Sequence, residues 1–198
     1  MPIIRALGAG LYIVHTSCSR EGGDRTNAYA DGPGASSAAH ILVLGIGNVL
    51  LRDDGVGVRV LHELEQGFGG DSRLRFVDGG TIGFMLSTLI GETPDLLVID
   101  AVRMAEPPGC ARCFEDDAMD RFLTGRPSTV HEIGLRDALD MARLTGKFPR
   151  RRALVGVEPA AVEIGHELSP EVESGVAPAS LLAREVLQRW LADGRVAA

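Results

Sequence analysis

The feature that most constrains the fold is a series of short apolar runs that begins at Ile41 and alternates with segments of helical periodicity. Three of these runs, ILVL, LLVI and ALVGV, are continuously apolar, which is typical of strands covered on both faces. We expect five strands, over residues 41–45, 74–77, 96–99, 111–115 and 153–157. Strands separated by helices predict an α/β protein with a mostly parallel sheet that has helices on both faces.

Four helices are expected among these strands. The first carries Val56, Val60 and Leu64 on one face, and a short second covers residues 83–90. The third has its apolar face at Leu135 and ends at Gly146, and the last carries a stripe that ends at Trp190. Between the fourth strand and the third helix we expect an acidic turn at residues 115–117 and a long connection.

The composition narrows the function classes. The chain has 198 residues, 45% of them hydrophobic, which suits one globular domain. A net charge of -7 argues against a nucleic-acid partner, because neutralising phosphates needs a basic surface. No apolar run approaches the length that spans a bilayer, so no membrane partner is expected. We predict an N-terminal extension over residues 1–39, flexible in nature, and one domain over residues 40–198.

The cysteines indicate a reducing compartment. Three cysteines do not make a disulfide framework, so the cytoplasm is expected. Cys110 and Cys113 form a single C-x-x-C without a second pair, and we interpret them as ordinary thiols.

The residues that follow the strands are the candidates for function, because the cleft of a parallel sheet lies outside the carboxyl ends of its strands. Acidic residues follow several strands, and one histidine opens the third helix. The set comprises Asp53 and Asp54, then Asp78-Gly79-Gly80-Thr81, Asp100, the acidic turn at 115–117, and His131.

One alternative is a nucleotide site. Gly45 and Gly47 fit the start of G-x-G-x-x-G, and Asp78 stands where a ribose-binding acid belongs, but Leu50 replaces the third glycine. Two carboxylates at the mouth of the following helix would repel a diphosphate. We therefore rank this regulatory, nucleotide-binding module below a metal site.

The other alternative is a metal site formed by Asp54, Asp100 and His131. Two oxygens and one nitrogen suit Zn, Ni, Mn or Fe, and three protein ligands leave positions open for substrate or water. The capping box Thr129-x-x-Glu132 places His131 in a first helical turn, where the helix end favours neutral imidazole. Each residue also has a structural interpretation: Asp54 as a helix N-cap, Asp100 as a turn cap, His131 as a surface side chain.

At this point the motifs resemble a known family. GIGNVL at 45–50 and DDGVG at 53–57 are similar to the N-terminal signature of the [NiFe]-hydrogenase maturation endopeptidases. The resemblance continues in family order over residues 41–192. Its further motifs are DGGTIG at 78–83, VIDA at 98–101, HEIGL at 131–135, LTGKFP at 144–149, VGVEP at 155–159 and LSP at 168–170.

The resemblance implies a three-layer α/β/α sandwich around a twisted, mostly parallel five-stranded sheet. It also implies an endopeptidase that removes the C-terminal extension of a [NiFe]-hydrogenase large-subunit precursor after nickel insertion. Asp54, Asp100 and His131 match the family's catalytic, metal-contacting residues, although many relatives carry Glu at the first position. Asp78, Gly79, Gly80 and Thr81 match a motif thought to engage the substrate.

The implied nickel belongs to the substrate and is not tightly held by the free enzyme; Zn or Cd could act as a surrogate. No Ser-His-Asp or Cys-His arrangement is evident, so water activated by the metal or by Asp54 is the simplest attacking group. A constitutive zinc-dependent peptidase or amidohydrolase with the same three ligands stays open as a rival.

Overall fold

The sheet that the sequence predicts forms the centre of the computed structural model, which describes residues 3–6, 12–15, 40–80, 85–125 and 130–193. It contains seven strands in the order β1-β2-β6-β7-β5-β3-β4. Their bounds are β1 Ile3–Ala6, β2 Tyr12–His15, β3 Ile41–Ile46, β4 Leu74–Gly80, β5 Asp95–Ala101, β6 Ala111–Glu115 and β7 Arg151–Val157.

The five predicted strands are all present. β3, β4, β5 and β7 run parallel to one another, and β6 pairs antiparallel with β7. This confirms an α/β fold with a mostly parallel five-stranded sheet. The predicted strand over residues 111–115 has the bounds of β6, whereas the other four strands extend one to three residues beyond the predicted ends.

Two further strands lengthen the sheet beyond β6, and the sequence did not predict them. They come from the segment before residue 40: β2 pairs antiparallel with β6, and β1 pairs antiparallel with β2. Pairing with β2 gives β6 partners for backbone groups that an edge strand leaves unsatisfied. The division between an extension and a domain at residue 39 stays a prediction.

Alternate residues of each central strand face opposite helical layers. Ile41 and Val43 pack in a core with α1 (Val56–Phe68) and α5 (Pro170–Asp193). Leu42 and Leu44 pack in a second core with α2 (Met85–Ile90), α3 (Asp117–Gly125) and α4 (Val130–Leu144). Fully burying each such side chain contributes roughly 1.5–3 kcal/mol, so the strands are fixed from both sides. These two cores make the predicted three-layer sandwich.

One predicted loop is a helix. Residues 117–125, assigned to a long connection, form α3. Its first turn contains Asp120 and Asp117, the last residue of the predicted acidic turn at 115–117. Its apolar face is small, with Met119 and Leu123 buried. A nine-residue helix with two buried anchors gives too short a periodic pattern to separate from a polar loop.

The acidic turn at residues 115–117 lies at the edge of the sheet opposite the predicted cleft. Because β6 runs antiparallel to β7, its end meets the start of β7, where Glu115 pairs with Ala153 in the register. Arg152 there donates its backbone N–H to Asp116 Oδ1 of this turn (3.0 Å), and its guanidinium donates to Asp120 (2.8 and 2.7 Å). The turn therefore serves the fold and contributes no carboxylate to the predicted cleft.

The cysteines of the described residues are structural. Cys110 and Cys113 are free and buried, and burial is the main cause that raises the pKa of each thiol. This agrees with their interpretation as ordinary thiols. Within the described ranges, no helix has the length and apolarity needed to traverse a lipid bilayer.

Candidate active site at the carboxyl edge of the sheet

The backbone N–H groups of the glycine turn after β3 are already hydrogen-bonded to other groups of the protein. The Gly47 N–H donates to the Gly80 carbonyl (3.1 Å), and the Asn48 N–H donates to Asp54 Oδ2 (2.9 Å). The Leu50 N–H donates to Asn48 Oδ1 (3.0 Å). A phosphate cradle needs such N–H groups to be available. The turn therefore gives no support to the nucleotide-binding alternative.

Glycines bring this turn and α1 into contact. Gly47 has φ 141°, and a Cβ at that position would overlap the Asp54 carbonyl oxygen. A Cβ at Gly57 would overlap the carbonyl oxygens of Ile46 and Ile99, at the ends of β3 and β5. Because Gly47 and Gly57 have no side chains, the start of α1 packs directly against the ends of β3 and β5. This packing places Asp54 at the same edge of the sheet.

The two adjacent acids Asp53 and Asp54 point to different partners. Asp53 is fully buried and accepts four hydrogen bonds, from the Ser169 N–H (2.6 Å), the Ser169 hydroxyl (2.8 Å), the Ala160 N–H (2.9 Å) and the Ala161 N–H (2.7 Å). Burial alone would raise the pKa of Asp53, but these bonds, led by that from Ser169, lower it. Asp53 ties the loop over residues 160–169 to the active-site turn.

Asp54 lies next to His131 and does not cap α1. The N-cap residue of α1 is Gly55, and no side chain caps the helix. The Asp54 side chain is largely buried, and its Oδ1 lies 3.6 Å from Nδ1 of His131. The capping interpretation of Asp54 is therefore wrong for α1.

Asp100 is the last but one residue of β5 and is 1% exposed. Its Oδ1 lies 3.7 Å from Nδ1 of His131, and among the described residues neither carboxylate oxygen accepts a hydrogen bond of good geometry. Burial raises the pKa of Asp100 to about 6; His131 counteracts this effect, and the charge of Asp54 adds to it. A buried acid without a strong donor is typical of a functional site rather than of a turn cap.

His131 is the second residue of α4 and is 7% exposed. It therefore lies in a first helical turn, as predicted, and is not a surface histidine. Of the predicted capping box, Thr129 and the side chain of Glu132 fall outside the described residues.

The three side chains predicted to converge do lie together, with the His131 imidazole next to both acids. Within the described ranges, no group of three or more His, Cys, Asp or Glu side chains is arranged, as it stands, to hold a metal ion. Their role as metal ligands stays a prediction.

The predicted substrate-binding motif begins at the end of β4, beside this site. Asp78 is exposed, and its Oδ1 accepts a hydrogen bond of 2.8 Å from the Gly80 N–H. Gly45 pairs with Asp78 and Ile46 with Gly80, so Gly79 forms a bulge next to the glycine turn. Thr81 falls outside the described residues.

Sequence reasoning missed Asp53 and Glu158 as organisers of the site. Glu158 follows β7, is 5% exposed, and accepts hydrogen bonds from the Met104 and Glu106 N–H groups (2.6 and 3.2 Å). It thereby fixes the loop after Asp100. The available signal was a carboxylate directly after an apolar strand, the same signal that identified Asp100.

Comparison with known proteins agrees with this architecture. The family model for hydrogenase maturation proteases (HycI) matches residues 58–185. The chain is 36% identical over 155 residues to the hydrogenase expression/formation protein HupD of Thiocapsa roseopersicina, covering 78% of this chain and 70% of the relative. It is 38% identical over 140 residues to the hydrogenase 2 maturation protease of Escherichia coli K12, covering 70% and 85%.

The solved structure of the hydrogenase maturating endopeptidase HybD from E. coli superposes with a TM-score of 0.69 at 35% identity, covering 76% of this chain and 93% of that one. The fold and these matches define an endopeptidase of the α/β class. The chain belongs to the hydrogenase maturation protease family, which confirms the resemblance seen in its motifs.

Proposed function

We propose that this protease removes the C-terminal extension of a [NiFe]-hydrogenase large-subunit precursor after nickel insertion, and that it recognises the inserted nickel through Asp54, Asp100 and His131. The observation that carries the proposal is the convergence of two buried acids on one imidazole at the cleft edge of the sheet. Family membership supports the proteolytic activity; the nickel check is the finer part of the proposal.

The chemistry of the three side chains suits a divalent ion such as nickel. Carboxylate oxygen and imidazole nitrogen are donors that nickel and zinc accept, whereas softer ions prefer thiolates. Burial disfavours the ionised form of Asp100, so an arriving cation would stabilise that form. Three protein ligands leave coordination positions for the substrate's own ligands. Precursor without nickel would lack this attraction.

Water is the proposed attacking group. The Asp54 carboxylate would accept the proton of the attacking water as a general base, and the nickel would make that water more acidic by lowering its pKa. The two described cysteines are poor candidates for a nucleophile because burial raises the pKa of both thiols. Asp78, Gly79, Gly80 and Thr81 are proposed to engage the substrate chain, since the exposed Asp78 and the adjoining bulge border the cleft.

The test compares nickel-loaded with nickel-free precursor. The wild type is expected to cut only the loaded form, and His131→Ala or Asp100→Asn to lower processing by about 100-fold or more. His40→Ala, at the opposite end of β3, is the matched control and should process normally. Normal processing by either site variant, or equal cutting of nickel-free precursor, would overturn the proposal.

Metal analysis separates this proposal from a constitutive zinc peptidase or amidohydrolase. The purified enzyme is expected to hold no stoichiometric metal, whereas one tightly bound zinc per chain would favour the rival. Zn or Cd at high concentration is expected to occupy the same three ligands as a surrogate. The proposed partner is the large-subunit precursor, without nucleic acid or membrane, and the expected compartment is the cytoplasm.

A further inference from the structure

Exposed large apolar side chains are concentrated around the candidate site. Among the described residues, seven large hydrophobic side chains are exposed, and four of them lie on the turn between β3 and Asp54 or on the loop that Asp53 anchors. We call these four the apolar rim: Val49 (52% exposed), Leu50 (54%), Val162 (46%) and Ile164 (92%).

Hydrogen bonds fix the backbone of the two segments that carry the rim side chains. The Gly165 N–H donates to the Leu50 carbonyl (2.9 Å), and the Arg52 N–H donates to the Gly165 carbonyl (2.9 Å). Leu51 and Gly165 form a parallel bridge. The four hydrogen bonds to Asp53 anchor the same loop at residues 160, 161 and 169. Rigid presentation of apolar side chains lowers the entropic cost of binding a partner.

The rim is continuous with the candidate active site. The Asn48 N–H donates a hydrogen bond to Asp54. Leu50 is two residues further along the chain, so the Cα atoms of Asn48 and Leu50 lie within about 7 Å of each other. A cavity of about 420 Å³ adjoins the same turn. Val49, Gly55 and Leu168 line it together with charged and histidine side chains, among them Arg59 and His62 of α1. A peptide that reaches the three site residues would therefore meet the rim.

Two arginines beside the rim already have acidic partners. Arg52 forms a 2.8 Å ion pair with Glu163, and Arg59 lies 3.6 Å from Glu173. The four rim side chains themselves offer apolar contact. Exposed apolar side chains grouped in this way mark an interaction site.

We propose that the apolar rim docks an apolar stretch of the large-subunit precursor next to the bond that is cut. This proposal rests on the proposed function. An endopeptidase has to hold its substrate chain on at least one side of the scissile bond, and an extended chain advances about 3.3 Å per residue. A stretch of a few residues is therefore long enough to cover the rim while the scissile bond lies at the site.

The chain offers a matched control surface. Met141 (43% exposed) and Leu144 (83%) are two of the three other exposed large apolar residues in the described part of the chain. They lie near the far end of α4, where Leu144 is about 20 Å along the helix from His131. Their exposure resembles that of Leu50 and Ile164, but they do not border the site.

The experiment compares Leu50→Ser/Ile164→Ser with Met141→Ser/Leu144→Ser, using nickel-loaded precursor as the probe. We expect the rim variant to raise KM and the Kd for precursor by about tenfold with kcat unchanged, because it loses binding shared by ground and transition states. The control variant should match the wild type. Thermal unfolding of both variants checks that the fold is intact.

Several outcomes would overturn the rim proposal. One is unchanged KM and Kd in the rim variant; another is an equal loss in the control variant. A wild-type dimer that the rim substitutions convert to monomer, with KM unchanged, would assign the rim to a second copy of the chain. Wild type that binds precursor without cutting it contradicts the proposed function alone, since Kd still tests the rim. Wild type that does not bind precursor contradicts both.

Discussion

The two ends of strand β5 carry one buried aspartate each, and the two residues have opposite surroundings. Asp95 opens the strand and Asp100 lies next to its end, and each is 1% exposed. Asp95 accepts hydrogen bonds of 3.1 and 2.6 Å from the Arg151 guanidinium. Asp100 faces His131 at 3.7 Å, and burial raises its pKa to about 6.

The difference distinguishes a buried acid that an arginine neutralises from the buried acids of the candidate site. At the amino end of β5 a guanidinium neutralises the buried acid, and next to it Arg152 holds Asp120 in the same way. At the carboxyl end, two buried acids are close to one imidazole and to no arginine within ion-pair distance among the described residues. Such an arrangement costs stability in the free protein, and a cation brought by the substrate would offset that cost.

The largest expected effect on stability comes from a substitution at the amino end of β5. Asp95→Asn is expected to lower the free energy of unfolding by about 3 kcal/mol, because it leaves the Arg151 guanidinium without its carboxylate. This value is at the lower end for a buried pair since the Arg151 side chain is 26% exposed. Urea unfolding measures it. Asp193→Asn, which removes the exposed second partner of Arg151, is the control and should change little.

The next largest effect is at the carboxyl end of β5, where Asp100→Asn is expected to raise the free energy of unfolding by an amount that depends on pH. The pKa of Asp100 is about 6 in the folded protein and 3.8 in the unfolded chain, so the folded state holds the proton more tightly. The Asp100 carboxyl is therefore expected to reduce the free energy of unfolding of the wild type by about 2 kcal/mol as pH rises from about 4 to about 6. Asp100→Asn does not titrate, so its advantage over the wild type should be largest above pH 6.

Urea unfolding of the wild type and Asp100→Asn at pH 4, 5, 6 and 7 follows this difference. The two free energies should converge towards pH 4. A variant that is less stable than the wild type at pH 7, or a difference that does not vary with pH, would contradict the contrast between the two ends of β5.

The smallest expected effect comes from an exposed acid at the amino edge. Asp117 lies 3.5 Å from Arg152, but its side chain is 86% exposed. Asp117→Ala should change the free energy of unfolding by no more than about 0.5 kcal/mol, because solvent screens such pairs. A loss comparable to that of Asp95→Asn would show that exposure does not govern these charges.

Much of the fold was predictable because the central strands are covered on both faces. Continuous apolar runs such as ILVL and LLVI mark β3 and β5 whatever the rest of the chain does. The antiparallel direction of β6 was not predictable, since it depends on pairing with β7 about 40 residues away. The pairing of β2 with β6 likewise joins segments about 100 residues apart, without a local signal.

The site was predictable in part for a related reason. Acids after buried strands point to Asp54 and Asp100, because an apolar neighbourhood makes an unpaired carboxylate costly. The different roles of Asp53 and Asp54 were not readable, since the partners of Asp53 at residues 160, 161 and 169 are more than 100 positions away. The His131 position followed from helix-start chemistry, but its distance to the acids needed the fold.

The central proposal is that Asp54, Asp100 and His131 together bind one metal ion supplied by the substrate. Anomalous diffraction from crystals soaked in nickel or cadmium tests it most directly. We expect one anomalous peak within about 2.0–2.6 Å of donor atoms from all three residues. We expect this peak to be absent from His131→Ala crystals. A peak bound elsewhere, or one that persists unchanged in that variant, would contradict the account.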